Sequence, residues 1–262
     1  MTPGAFDPTA PGALALIALL GARVGGLLLI APALSGRPVP MMVRTALLVL
    51  LTMVLLPASA AAAAGGAVPR VTAATLLCET LIGMALGLGA AVFVGAAEAA
   101  GDLISVQMGL SAAAVLDPVT QQSTPTLASF TRLFATALLF AVGGHLAMIG
   151  ALASSVDLLP VGGEIDAADG LRAMVMLGGE LFVLGLRFAA PVAAALLVSN
   201  VALGILARTM PQLNALIVAF PVQIGLGLFT LGVALPYVAA PFASWPLSYE
   251  AVTSRLLDAF MP

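Results

Sequence analysis

Apolar residues fill this chain in six long blocks, separated by short polar or turn-forming breaks. The blocks run about Pro11–Ser35, Val43–Gly65, Val71–Leu116, Pro125–Leu159, Leu171–Arg208 and Pro211–Pro241. The breaks are chemically distinct. "SGRPVP" (Ser35–Pro40) carries two prolines and a glycine, "GGAVPR" (Gly65–Arg70) is a turn, and "LLPVGGEIDAADG" (Leu158–Gly170) holds three acids beside a Gly-Gly pair. "TMP" (Thr209–Pro211) is a tight break after Arg208. Runs this long and this apolar predict helices, and an all-α membrane-associated protein. The lengths do not fit simple spans. Val71–Leu116 is about 46 residues, whereas roughly 20 helical residues cross a ~30 Å hydrocarbon core. Either the long blocks fold into hairpins at Gly143-Gly144, Gly178-Gly179, Pro191 or Pro221, or they form long kinked helices partly outside lipid. Charges inside the blocks favour the second arrangement.

Composition agrees with a membrane protein. The 262 residues are 61% hydrophobic and 8% charged, against about 25% charged in a soluble domain. All nine basic residues are arginine, which excludes lysine-based phosphate binding, Schiff-base chemistry and a lysine general base. One cysteine, Cys78, and one histidine, His145, make neither a disulfide nor a zinc site within the chain. Cys78 reads as a small buried hydrophobe. No cofactor and no nucleic-acid partner are expected, since no basic patch is visible. The first apolar run lacks a positive leader and reads as a retained membrane segment. Trp245 and Tyr249, in the tail "APFASWPLSYE", read as residues of the lipid headgroup zone.

The charges within the blocks are Arg23, Glu79, Glu98, Asp102, Glu180 and Arg187. A charge at the bilayer centre costs at least about 2.5 kcal/mol and needs a partner or water. Gly21 and Gly25 share a face that permits close helix contact, and Arg23 points away from it. It is either a structurally paired arginine, or one at a subunit seam or a polar lumen. Glu98, Asp102 and Ser105 follow i, i+4, i+7 spacing, as a proton-handling pair or as the place where a helix leaves the apolar zone. Glu180 and Arg187 share a face. Four arginines (Arg37, Arg44, Arg132, Arg208) against three (Arg70, Arg172, Arg255) do not orient six spans.

The stretch "LDPVTQQSTPTL" interrupts two strongly apolar runs. Asp117 precedes Pro118, so the preceding helix is expected to end near Leu116. Thr124 before Pro125 is a good helix start. A loop over Asp117–Thr124, with Thr120, Gln121, Gln122 and Ser123, does not sit in lipid, where its backbone groups would lack partners. It lies at a surface or lines a water-filled path.

Three segments carry a family resemblance. "RVGGLLLIAPALSGRPVPMMVRTALLVLLTMVLLP" holds Arg23, Pro32, Pro40, Arg44 and Pro57 in the framework of the FliR family of flagellar export proteins. The central segment resembles that family through Gly101, Gln107, Met108, Gly109, Asp117-Pro118, Pro125, Gly144-His145 and the Leu159–Gly162 exit. The later segment is similar around Arg187, Pro191, Pro211, Asn214, Pro221 and Gly225. Gly143 departs from the Asp or Asn usual before Gly-His. The resemblance covers nearly the whole chain and implies one export-gate domain over residues 1–262. It implies long kinked helices and hairpins packed in a hetero-oligomeric type III export gate of the bacterial inner membrane, in the flagellar basal body. Implied partners are FliP-like and FliQ-like subunits, FlhB-like and FlhA-like export components, unfolded protein substrates and the lipid membrane. The virulence counterpart is the SctT family. Carried over residue by residue, Met108, Gly109, Ser111, Asp117, Pro118, Thr120, Gln121, Gln122, Ser123, Thr124 and Pro125 become gate or plug candidates. Arg23, Arg44, Glu98, Asp102, His145, Arg187 and Asn214 become buried or assembly polar residues. The rival readings are a secondary transporter coupled through Glu98 and Asp102, and an intramembrane serine protease built on "GLSA" and His145. The resemblance implies a structural protein and no enzyme.

Overall fold

A computed structural model describes residues 12–32, 34, 39–63, 70–110, 126–210 and 215–262. Among these residues the regular structure is helical: α1 (Ala13–Ile30), α2 (Met41–Ala63), α3 (Ala73–Gln107), α4 (Thr126–Ala141), α5 (Gly144–Leu158), α6 (Ala167–Thr209), α7 (Ala215–Ala243) and α8 (Trp245–Ala259). Helices α1 to α7 fall within or close to the apolar blocks, whereas α8 lies in the tail beyond the last of them. Five are long and apolar enough to cross a membrane, or six if the bent pair α4–α5 counts as one span.

Of the two arrangements left open by block length, long helices dominate. Gly178-Gly179 and Pro191 lie inside the continuous α6 of 43 residues, and Pro221 lies inside α7. An internal proline removes one backbone bond, which neighbouring groups and local backbone adjustment in a membrane helix can offset. Of the four candidate points, Gly143-Gly144 alone interrupts a helix, with α4 ending at Ala141 and α5 starting at Gly144. Gly143 takes φ 75° there, a left-handed conformation that glycine adopts without a Cβ penalty.

Three expectations are corrected. First, α3 ends at Gln107, not near Leu116. Gly109 has φ 75°, its N–H donates to Val106 O at 3.1 Å, and the Leu110 N–H donates to Ser105 O at 3.1 Å. This paired cap stops the helix before the prolines come into play. Second, Trp245 and Tyr249 are buried core residues. Tyr249 Oη donates to Leu86 O at 2.9 Å, and its ring stacks on Trp245 at 4.6 Å between centroids. An amphipathic ring whose polar tip finds a carbonyl needs no headgroup. Third, the tight contact of α1 is made by Gly26 rather than by Gly21 and Gly25. A Cβ on Gly26 would collide with Thr80 O, and one on Gly83 with Arg23 O. A Cβ on Gly21 or Gly25 would lie at ordinary contact distance, 3.9 Å from Thr52 Oγ1 and 3.6 Å from Leu48 Cδ1. Cys78 is half-buried.

The chain divides into two compact units. One comprises Met1–Val92, Leu139–Gly179 and Trp245–Pro262. In it α1 packs on α2, α2 on α5, and α5 on α8, around Leu19, Leu20, Leu27, Ile82, Leu86, Trp245 and Phe260. Gly89 lets the Tyr249 ring lie against α3. The other unit comprises Phe93–Leu138 and Glu180–Ser244. Here α3 packs on α6 where Gly95 meets Leu181 and Gly185 meets Ala96, and Phe242 stacks on Phe188 and meets Phe93 edge to face.

Candidate functional site

Two polar or capped features stand out from the apolar packing. The first is a buried charge cluster. Arg23 is fully buried (0% exposed) in α1. Its Nε donates to Glu79 Oε2 at 2.6 Å. Nη1 donates to Ser155 O at 2.9 Å and to Ser155 Oγ at 3.3 Å. Nη2 donates to Leu159 O at 2.9 Å. The second Glu79 oxygen accepts the Gly162 N–H at 2.8 Å. Each guanidinium nitrogen therefore has an acceptor, and both carboxylate oxygens are engaged. The guanidinium also sits over the last carbonyls of α5, where a cation complements the helix dipole and the unpaired C=O groups. One arginine thus ties α1, α3, the end of α5 and the Leu159–Gly162 turn together. Breaking such a buried pair from one side costs about 3–5 kcal/mol, because the remaining charge stays out of water. Glu79 carries half of this cluster; the sequence marks it as a charge within an apolar block, but does not pair it with Arg23. The available signal was charge arithmetic: a buried arginine in one apolar block requires an acid in another.

The second feature is the seat at the end of α3. Met108 is 0% exposed. It fills a notch on α7 left by Gly227, where an added Cβ would lie 2.7 Å from both Met108 Cγ and Sδ. The next residue, Gly109, faces Phe220, and a Cβ there would lie 2.7 Å from the ring. Gln223, between those two positions on α7, hydrogen-bonds Asn200 of α6. Nearby, Gly101 of α3 admits the backbone of α4, so that a Cβ would meet Ala128 Cα at 2.8 Å. The polar segment 111–125 departs from this seat. Ser111, Asp117, Pro118, Thr120, Gln121, Gln122, Ser123, Thr124 and Pro125 lie outside the described residues.

The remaining polar candidates are dispersed. Glu98 is partly exposed and pairs with Arg132 at 3.9 Å, a surface contact of small energetic weight. Asp102 is exposed while Ser105 turns inward, so the i, i+4, i+7 series does not share one environment. Glu180 and Arg187 are both exposed on α6, and Arg44 is half-buried in α2. His145 is half-buried against the Phe140 ring, with centroids 5.2 Å apart. Its Nδ1 has no hydrogen-bond partner among the described residues. Asn214 lies outside the described residues. Among the described residues no cluster of three metal-ligating side chains occurs.

Comparison with known proteins matches residues 14–245 to the family model of bacterial export proteins, family 1. The flagellar biosynthetic protein FliR of Pectobacterium carotovorum subsp. carotovorum is 38% identical over 168 residues, which is 64% of this chain and 64% of that relative. FliR of Escherichia coli (strain K12) is 34% identical over 223 residues, 84% of each chain. FliR of Caulobacter vibrioides is 29% identical over 246 residues, covering 93% of this chain and 94% of the relative. The resemblance carried by the arginine–proline framework and the central segment is borne out.

Proposed function

The chain belongs to the bacterial export proteins, family 1, and on that premise we propose that it is a structural, pore-forming subunit of the flagellar type III export gate. It sits in the inner membrane at the flagellar basal body and passes unfolded flagellar substrates. It assembles with FliP-like and FliQ-like subunits and works beside FlhB-like and FlhA-like components. Its role is structural rather than catalytic. Relatives named for flagellar biosynthesis support the flagellar assignment. One observation carries the reading. Helix α6 has 43 residues, about 65 Å at 1.5 Å per residue, twice a hydrocarbon core. It exposes Phe182, Val183 and Leu186 together with Glu180 and Arg187. Apolar bulk alone suits lipid, but charges set among it need a protein partner or water. A helix too long for the bilayer and studded with both finds such surroundings inside an assembly of sister subunits.

Within that assembly, the polar segment Gly109–Thr124 acts as the stopper of the conduit, because uncharged Thr, Gln and Ser hydrate a backbone without holding a passing chain. Two experiments test the proposal. Affinity-tagged chain should co-purify with two other small membrane proteins and yield poorly alone; a stable solitary homo-oligomer would contradict it. Shortening the segment with assembly intact should make the resting gate leak ions, and wild-type conductance would remove the stopper role.

A further inference from the structure

The seat of α3 on α7 joins three observations that core packing alone does not require. Phe220, Gln223 and Gly227 stand at i, i+3 and i+7, on one face of α7. Met108 enters the glycine notch of that face, and Gly109 abuts its phenylalanine. The residues that enter are the two that close the α3 cap, with Met108 N–H bonded to Ile104 O at 2.9 Å and Gly109 N–H to Val106 O at 3.1 Å. The helix therefore stops where its final turn is pinned to another helix. The pin is a thioether, a flexible side chain that fits an irregular hole without a directional bond, and the hole is the absent side chain of Gly227.

We propose that Met108 and Gly227 form a knob-and-notch lock that holds the end of α3 on α7 and so fixes where the following polar segment starts. Met108 is a positioning residue in this lock: its side chain is spent inside the chain's own fold. Its consequence for ion flow rests on the gate reading above; the lock itself rests on the geometry of described residues alone. Gln223 steadies the notch through its bond to Asn200, so α6, α7 and the α3 terminus hold together at this point.

The contact permits an exchange test. Gly227→Val adds three heavy atoms where Met108→Ala removes three from the facing side chain, so the double variant conserves volume across the contact. Each single variant, expressed with its partner subunits and purified as the assembled complex, should lower the melting temperature. Gly227→Val should also raise the resting ion leak of cells by roughly tenfold, the shift expected of a misfitted core contact. The double variant should recover both readouts, and Met108→Leu should behave as the original. Additive losses in the double variant would overturn the lock, as would a silent Gly227→Val. The chain with a shortened polar segment serves as the control. If that control leaks but Gly227→Val does not, the lock has no hold on the segment and falls while the gate reading stands. If the control does not leak, the gate reading falls, and recovery of the melting temperature in the double variant alone decides the lock.

Discussion

A buried arginine in an apolar helix is legible from sequence as a problem, and the structure supplies the answer. Arg23 finds Glu79 on α3 and the carbonyls of Ser155 and Leu159. That an acid in another block must answer it was legible, but not which one, because a separation of 56 residues is bridged only once two helices are known to pack side by side. Arg23→Leu strands the Glu79 carboxylate with a single backbone donor, so the yield of assembled complex should fall severely, consistent with about 3–5 kcal/mol. Adding Glu79→Met should restore most of it, since an apolar pair of similar volume replaces the ion pair at little cost. Failure of that second change to help would show that the lost bonds to Ser155 and Leu159, rather than the stranded carboxylate, set the cost. Tyr249 was misread for a related reason. A ring with a polar tip suits both an interface and a core, and what decides is the Gly89 hollow and the Leu86 carbonyl, neither of which a local window contains. Burial pushes the Tyr249 phenol above its ordinary range, so it stays a neutral donor. Tyr249→Phe should lower stability by about 1 kcal/mol, read as a drop in complex melting temperature. The raised phenol pKa also means that stability is lost as pH rises past the ordinary tyrosine value, where only the unfolded chain ionises.

At the scale of elements, block boundaries were readable because proline and glycine clusters interrupt long apolar runs. Pro38 and Pro40 precede α2, and the acid-rich Gly162–Asp169 stretch leads into α6. Reading failed where two signals competed. The Asp117-Pro118 pair points to a late end for α3, but Gly109 is a left-handed cap eight residues earlier in numbering, and it prevails because its backbone bonds close there. Pro191 and Pro221 looked like hinge points and are absorbed within helices. Two of the four left-handed glycines among the described residues, Gly109 and Gly143, share φ 75° and offer a controlled comparison. A Cβ on Gly143 has only Leu146 Cδ1 nearby, at 4.0 Å, whereas one on Gly109 meets Phe220 at 2.7 Å. Gly143→Ala should therefore cost only the backbone strain, about 1–2 kcal/mol. Gly109→Ala should cost more, and should disturb the resting gate as Gly143→Ala does not. Equal melting temperatures for the two variants would show that the α3 seat carries no steric constraint.

For the whole molecule, composition indicated a membrane protein and block length indicated helices that outgrow the bilayer; the family match adds a flagellar export component. The polar segment that suggested a gate lies beyond what local chemistry alone decides, since the same residues suit a surface turn and an aqueous path. What a single chain does not contain is the covering of its exposed apolar faces. Phe182 on α6 is 76% exposed and Phe229 on α7 is 69% exposed. Side chains of this size, left uncovered on α7 and, on α6, beside the exposed charges of Glu180 and Arg187, are what an assembly buries. The most direct measurement places a photo-crosslinking amino acid at Phe182, and in a second strain at Phe229, in cells expressing the complete export apparatus. The account predicts covalent adducts with sister membrane subunits at both positions. Adducts with lipid alone, obtained while the chain is fully functional, would contradict it.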